Sequence, residues 1–323
     1  MSRRVRRTRR SWGLRSRDEH GAVAVMVALL MVPLIGFVAV SVDVASLWSQ
    51  RQQLQTGADA AALAIAADCL RGSCGTPSQT ATTFARANLG SGTPTATVTA
   101  RSTASVTVRN SARADLVFAP VLGFGSQTVT TEARAAWGAP TAGTGVLPVV
   151  LNLCEYNYQT GGALPTSTTS RTILLSRTSV SSCTESGFSS FFYNPGGFAW
   201  VRPNNSFCTT SSAVGDELSL ASSTSPPLLC PPSYFTALAN DTVLLPVFNS
   251  GRGGLFSVQF TVYGYAPFKL TGYHFGSGYS WNAPCSGSER CLRGYFTRLD
   301  EQSSLFSYGA APHLGAGFSR LTD

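Results

Sequence analysis

Charged residues are scarce in this chain of 323 residues, at 12% of the sequence, and the positive charge lies mostly at one end. Eight arginines and two acidic residues, Asp18 and Glu19, precede residue 22 and account for +6 of the formal net charge of +8. The rest of the chain is nearly neutral, which argues against a nucleic-acid-binding surface, because such surfaces need clustered lysine and arginine. An arginine block beside an apolar segment instead suits membrane topology and contact with anionic headgroups.

Histidine is also scarce, since only His20, His274 and His313 occur, and no CxxC pair is present. A structural zinc site needs four such ligands at close spacing, so we expect no metal site. No GxSxG elbow or phosphate-loop lysine is present either. His274 lies in an apolar strand pattern and His313 in a glycine-rich tail, where surface exposure is expected. We therefore predict no enzyme, no catalytic residue, no cofactor and no small-molecule substrate.

An apolar run without charged residues covers residues 22–42 and follows the arginine-rich start of the chain. A helix of this length reaches roughly 30 Å, which matches the hydrocarbon core of a bilayer. The positive-inside rule places the N-terminus in the cytoplasm and the bulk of the chain outside the cytoplasmic membrane. A cleaved signal peptide is the alternative, with small residues such as Ala39 and Ser41 near its end. The run is longer than a usual signal core and its helical pattern continues, which favours a retained single-pass anchor.

A second helical pattern continues from the first, with one apolar stripe at spacings of three, four or seven residues. The stripe, which we predict to be a partner-helix face, consists of Leu47, Leu54, Ala58, Ala61 and Ile65. Its small alanines allow close approach by a sheet of the same chain or by a neighbouring helix. Gly57 lowers helix stability by about 1 kcal/mol relative to alanine, and Pro33 removes one backbone donor.

Cysteine is present in an even number, and all of it follows the apolar run, in the compartment where disulfides persist. The eight cysteines are Cys69, Cys74, Cys154, Cys183, Cys208, Cys230, Cys285 and Cys291. We predict four disulfides. Cys69 with Cys74 and Cys285 with Cys291 can close small loops, whereas the other four cysteines allow three pairings between which the sequence does not decide.

The remaining patterns predict an α+β protein. A helix is expected at 78–89, strands at 95–101, 105–109 and 127–137, and further strands at 146–153, 172–176, 256–265, 268–275 and 292–299. The predicted organisation is a cytoplasmic arginine-rich tail at 1–21, a transmembrane segment at 22–42, a stalk helix with a small antiparallel sheet at 43–138, a linker at 139–145, and a disulfide-tied, β-rich extracytoplasmic domain at 146–323.

Aromatic residues cluster in two places, around Pro195-Gly196-Gly197 and between Tyr263 and Trp281. The first cluster contains Phe191, Phe192, Tyr193, Phe198 and Trp200. Core packing of a β-sandwich is favoured, because the alternation of Tyr263 and Tyr265 suggests one shared face. The alternative is a surface that binds a glycan or an envelope polymer, for which Trp200 and Trp281 are the candidate residues.

The N-terminal segment resembles a known family. Residues 20–66, HGAVAVMVALLMVPLIGFVAVSVDVASLWSQRQQLQTGADAAALAIA, are similar to the start of TadE/TadG-like proteins of the Flp (Tad) pilus-assembly system, in the GAVAV start, in Asp43 at the end of the span and in the ADAAALA run. Segments such as VYGYAPFKLTGYHF at 262–275 are similar to the exported regions of actinobacterial members.

The resemblance implies a function and a processing site. Members of the family anchor a pilin-like or minor-pilin-like protein and support pilus assembly, so other Tad proteins and pilins are the implied partners. Pilin-like members are cut after a glycine, which leaves a glutamate at the fifth mature position. The candidate junction here is Gly21–Ala22, and the fifth residue after it is Met26. Some longer members carry a DxSxS metal site, and this sequence has no such motif.

Overall fold

The computed structural model describes residues 20–90, 92–123, 125–179, 183, 195–204, 207–222, 224–253, 257–300 and 302–322. The arginine-rich tail lies outside these residues, as do Phe191, Phe192 and Tyr193 of the first aromatic cluster. Within them the protein is α+β, with a long apolar N-terminal helix, two sheets of mainly antiparallel strands and a β-rich C-terminal body.

Helix α1 spans His20–Leu70 without interruption, and Pro33 lies inside it. Alanine and leucine favour the helix along its length, and one missing backbone donor at Pro33 does not end it. The apolar run and the alanine-rich stripe are therefore parts of one element. The predicted continuity of the helix beyond residue 42 is confirmed.

Three shorter α-helices follow among the described residues, and of these only the first was expected. They are α2 Pro77–Asn88, α3 Leu153–Thr160 and α4 Pro232–Ala237. Helix α2 begins with proline, which suits a first turn whose N–H groups have no helical partner. Helix α3 begins inside the predicted strand 146–153, because the side-chain oxygen of Asn152 accepts a hydrogen bond from the Cys154 N–H at 2.8 Å and caps the new helix.

The first sheet has the order β1-β2-β3-β13, and β7 and β14 also pair with β3. Its strands are β1 Thr95–Arg101, β2 Ser105–Asp115, β3 Ser126–Gly145, β7 Thr210–Ala213, β13 Phe306–Gly309 and β14 Phe318–Thr322. The predicted bounds of β1 are confirmed, and β2 and β3 both extend further than their alternation indicated. Strands from the end of the chain thus complete a sheet that begins next to α2 in the sequence.

Strand β3 includes residues 139–145, where an irregular linker was predicted. The glycines that suggested a linker serve another purpose, which is close approach of a neighbouring strand. A Cβ atom at Gly138 would lie 2.9 Å from the backbone nitrogen of Gly309, and one at Gly143 would overlap the ring of Phe306. The expectation of an unpaired segment at 139–145 is corrected, and the assignment of a domain boundary to it stays a prediction.

The second sheet has the order β5-β12-β10-β8-β6-β4-β9, with β11 paired to β10. Its strands are β4 Val149–Asn152, β5 Arg171–Leu174, β6 Phe198–Val201, β8 Glu217–Ser222, β9 Thr242–Gly253, β10 Val258–His274, β11 Ser280–Trp281 and β12 Cys291–Phe296. Because β9 also pairs with β10, the path from β10 through β8, β6 and β4 to β9 closes on itself.

Strand β10 is one strand where two were predicted, and it is bulged. Its register against β9 shifts between Val262 and Gly264. A one-residue shift exchanges the two faces of a strand. Tyr265 is buried in one apolar cluster with Phe260, while Tyr263 packs against the other cluster, so the expected shared face for the two tyrosines is wrong.

The chain divides into two compact units. One comprises the chain up to Gln52 together with Arg113–Val129, and the other comprises Gln53–Ala112 and Thr130–Asp323. The described residues of the second unit form three buried apolar clusters, of which the largest contains Trp200, Phe235 and Phe268.

All eight cysteines are paired. The pairs are Cys69–Cys74, Cys154–Cys183, Cys208–Cys230 and Cys285–Cys291. The two local pairs are confirmed, and of the three pairings left open for the other four cysteines the structure selects the one between sequence neighbours. Each bridge closes a loop of fewer than about thirty residues, so together they tie local segments of the body.

Candidate functional site

The first half of helix α1 is apolar on every side and exposed. From Val23 the helix is long and apolar enough to cross a membrane, and none of its most apolar window is buried. Val32, near the middle of the uncharged run, is 75% exposed. Exposed apolar surface of this extent is unfavourable in water, and a bilayer removes the cost. By length and composition this half fits a single-pass membrane anchor.

Asp43, the first charged residue after the run, is buried by a segment far away in sequence. Its carboxylate accepts hydrogen bonds from the backbone N–H groups of Val117 at 2.8 Å, Phe118 at 3.1 Å and Ala119 at 2.7 Å. These donors belong to the start of a 3₁₀ turn at Ala119–Leu122 and have no partner within that turn. The last turn of the uncharged run is thereby tied to the loop that joins β2 and β3.

The second half of α1 packs against the chain's own sheet. Of the predicted partner-helix face, Leu47 is half-buried and Leu54, Ala58, Ala61 and Ile65 are buried. The last three lie in a cluster with Ala81 of α2, Val106 and Val108 of β2, and Ala133, Ala135 and Trp137 of β3. Of the two partners left open by the sequence, the intramolecular sheet covers this face. The face from Ala58 to Ile65 is therefore not free for a partner helix.

Gly57 lies at the closest approach within this packed half. A Cβ atom there would come within 3.3 Å of the Asn110 side-chain nitrogen and of the Phe84 carbonyl oxygen. Asn110 is buried and donates to the backbone carbonyl of Leu54 at 3.1 Å. Gln55 donates to the backbone carbonyl of Glu132 at 3.2 Å. The absence of a side chain at Gly57 thus allows α2 and the Asn110 side chain to approach α1 closely. The close contact comes at the expense of helix propensity, which is lower for glycine than for alanine.

The candidate processing site lies inside α1. Gly21 and Ala22 are both helical residues, and Gly21 is exposed, with no atom within 4 Å of the point where a Cβ atom would lie. Met26, at the position where pilin-like members have glutamate, is an exposed helical residue. Cleavage between Gly21 and Ala22 stays a prediction.

The aromatic candidates for surface binding are placed mainly in the core. Trp200 has no exposed surface, and its ring meets those of Phe235 at 5.9 Å and Phe275 at 4.8 Å in edge-to-face contacts. Its assignment as a surface-binding residue is therefore corrected, because strand β6 is buried on both faces. Trp281 is half-buried, 6.3 Å from the ring of Tyr273.

Burial shifts the pKa of several ionisable groups of the body. His313, expected at the surface, is half-buried, and burial lowers its pKa while nearby Asp300 opposes the shift. Burial raises the pKa of Glu155, whose carboxylate accepts a hydrogen bond from the Ser179 N–H. Burial also raises the pKa of Tyr265 to about 12. Among the described residues, no three His, Cys, Asp or Glu side chains converge on a position that could hold a metal ion.

Comparison with known protein families finds a match at the N-terminal helix. Residues 21–68 match the family model described as "Putative Flp pilus-assembly TadE/G-like". No curated protein and no solved structure matches the chain. The family match covers the exposed run, Asp43 and the packed half of α1, and it ends two residues before the helix does.

Proposed function

We propose that the chain is a non-enzymatic, membrane-anchored component of Tad/Flp pilus assembly, either minor-pilin-like or an assembly scaffold. The observation that carries the proposal is the TadE/G-like match at residues 21–68, which coincides with α1. Within that segment one half is bare and apolar, as a membrane anchor requires, and the other half carries a folded sheet.

The arginines before residue 20 and the disulfides after the helix support one orientation. Arginine clusters next to a span favour the cytoplasmic side. Disulfides persist in oxidising compartments, and the chain has four of them after residue 68. The proposed location is the cytoplasmic membrane, with the N-terminus inside and the body outside.

Association with other pilus proteins would then occur within the membrane, because the packed half of the helix is already covered. Small residues allow helices to approach closely in a bilayer, where packing and hydrogen bonding drive association. Gly36 lies in the exposed run, and no atom lies within 4 Å of a Cβ position there. This open position is a suitable point at which to block a neighbouring helix.

A complementation experiment tests the function. In the source organism, deletion of the chain should abolish or strongly reduce surface pili, and the full chain should restore them. Gly36→Leu should reduce co-purification with other pilus membrane proteins, whereas Val40→Leu, at another exposed position of the run, should leave it unchanged. Normal piliation of the deletion strain would refute the pilus-assembly role, and equal co-purification of both variants would refute contact at Gly36.

The proposed cleavage at Gly21–Ala22 has a separate readout. The intact mass of the protein purified from membranes reports whether the first 21 residues remain. We propose removal of this tail if the chain enters the fibre, and its retention if the chain stays in the membrane as a scaffold. A glycan-binding role for the body is not proposed, because Trp200 is in the core.

A further inference from the structure

The loop between β2 and β3 carries an exposed apolar surface at the end of the membrane-spanning run. The segment Leu116–Gly125 contains no charged residue. Within it Val117 is 66% exposed, Phe118 44% and Val121 89%. Three large apolar side chains exposed on one short loop are an unfavourable surface in water.

The position of this loop is set by Asp43. The uncharged run ends at Val42, and the Asp43 carboxylate binds the backbone N–H groups of Val117, Phe118 and Ala119. A bilayer that contains the run up to Val42 therefore has its surface at the height of the loop. The Asp43 charge itself is covered by these donors and would not face lipid.

The surroundings of the loop are those of a membrane interface. Arg113 and Asp115, just before the loop, are exposed and 3.8 Å apart, where headgroups and water can solvate them. Trp48 is exposed on α1 and lies five residues beyond Asp43, which is about 7.5 Å along a helix axis. Tryptophan is enriched at the level of lipid headgroups.

We propose that the β2–β3 loop inserts into the surface of the phospholipid bilayer beside the helix that leaves it, with Val117, Phe118 and Val121 as the inserted side chains. The loop is a second membrane contact, continuous with the anchor, and it fixes the angle at which the first unit meets the bilayer. This inference rests on the proposed membrane anchor and adds a contact that a single spanning helix does not have.

Site-specific photocrosslinking in the full-length protein tests the proposal. The photoreactive residue p-benzoylphenylalanine is placed singly at Val121, at Val32 in the run, or at Leu228, which is 105% exposed on the body. Each protein is reconstituted into phospholipid nanodiscs, irradiated and examined by mass spectrometry for covalent lipid. Lipid adducts are expected at Val32 and Val121 and not at Leu228. Val117 serves as a second probe position if replacement of Val121 disturbs folding.

The outcomes separate the inference from the anchor on which it rests. Adducts at Val32 with none at Val121 or Val117 would overturn loop insertion and leave the anchor intact. Crosslinks from Val121 only to a second protein chain would also overturn it and would identify the loop as a protein contact. Absence of lipid adducts at Val32 would overturn the anchor and the inference together.

Discussion

The two halves of helix α1 are built from similar residues and have opposite surroundings. Residues 23–42 are apolar on all sides and exposed, whereas residues 54–70 bury one side against β2, β3 and α2. The difference lies in the distribution of polar residues, because the second half has a stripe of alanines on one side and glutamine, threonine and aspartate at other positions. A helix that is apolar on all sides is suited to lipid, whereas an amphipathic helix buries its apolar side against the rest of the protein, which here is a sheet. One continuous helix is therefore suited to two different surroundings along its length.

The largest effect is expected from a charge in the packed half. Ala61→Asp places a carboxylate without a partner at a position with no exposed surface, and it should destabilise the second unit by about 3–5 kcal/mol. Thermal or denaturant unfolding of the detergent-solubilised protein measures this. Ala87→Asp, the same change at an exposed position of α2, is the control and should change stability by less than about 0.5 kcal/mol. Equal stability of the two variants would contradict the packing of α1 against the sheet.

An aspartate in the exposed half of α1 should affect membrane insertion instead of the stability of the second unit. Val32→Asp lies at the centre of the uncharged run and should disfavour membrane insertion by about 2.5–3.5 kcal/mol. Fractionation of membranes and the unfolding midpoint of the body are the two measurements. Reduced membrane integration with an unchanged midpoint is expected. A lowered midpoint would mean that the two halves do not act separately.

Asp43 marks the junction between the halves, and its removal should loosen the loop alone. Asp43→Ala leaves the N–H groups of Val117, Phe118 and Ala119 without their carboxylate partner. Their amide hydrogen exchange should become several-fold faster, while exchange in β1 stays the same. Ser41→Ala removes a nearby side chain that donates to the Phe37 carbonyl at 2.7 Å and serves as the control. Unchanged exchange at residues 117–119 would show that Asp43 does not hold the loop.

The smallest effect is a pH dependence of stability, and it concerns only the second unit, which contains the packed half of α1. Burial lowers the pKa of His313 below its ordinary value of 6.5, so the unfolded chain takes up a proton at a higher pH than the folded chain. Stability should fall as pH drops below about 6.5, by at most about 1.4 kcal/mol per pH unit, until the folded pKa is reached. His313→Gln should remove this loss in unfolding measurements between pH 7.5 and 5.5. An identical pH profile for the variant would refute the assignment.

Local patterns predicted helices α1 and α2 and the first strand well. The uncharged run, the spacing of Leu54, Ala58 and Ala61, and the alternation in β1 each depend on near neighbours in sequence, which is why helix α1 and the bounds of β1 were found. The two small-loop disulfides were found for the same reason.

Features that depend on distant pairing were not found. The partners of Asp43 lie more than seventy residues away, and no local pattern at residues 117–119 indicates a carboxylate. The burial of Asn110 could have been predicted from the sequence, because Asn110 lies between Val108 and Ala112 at a position of β2 where the alternation places apolar residues. Trp200 was open to two interpretations, because exposure of an aromatic residue is decided by strands that pair with β6 from elsewhere in the chain.

The pairing of β14 with β3 has a consequence for biogenesis. Thr322 pairs with Arg134 and Phe318 with Gly138, on the sheet that receives helix α1, and Gly317 adjoins the side chain of Leu70. The chain between β3 and β14 must be synthesised before this edge is closed, and pairing over so large a sequence separation is intrinsically slow. A chain whose last strand has not yet paired would therefore hold its helix against a sheet with an open edge, and such an edge can pair with strands of other chains.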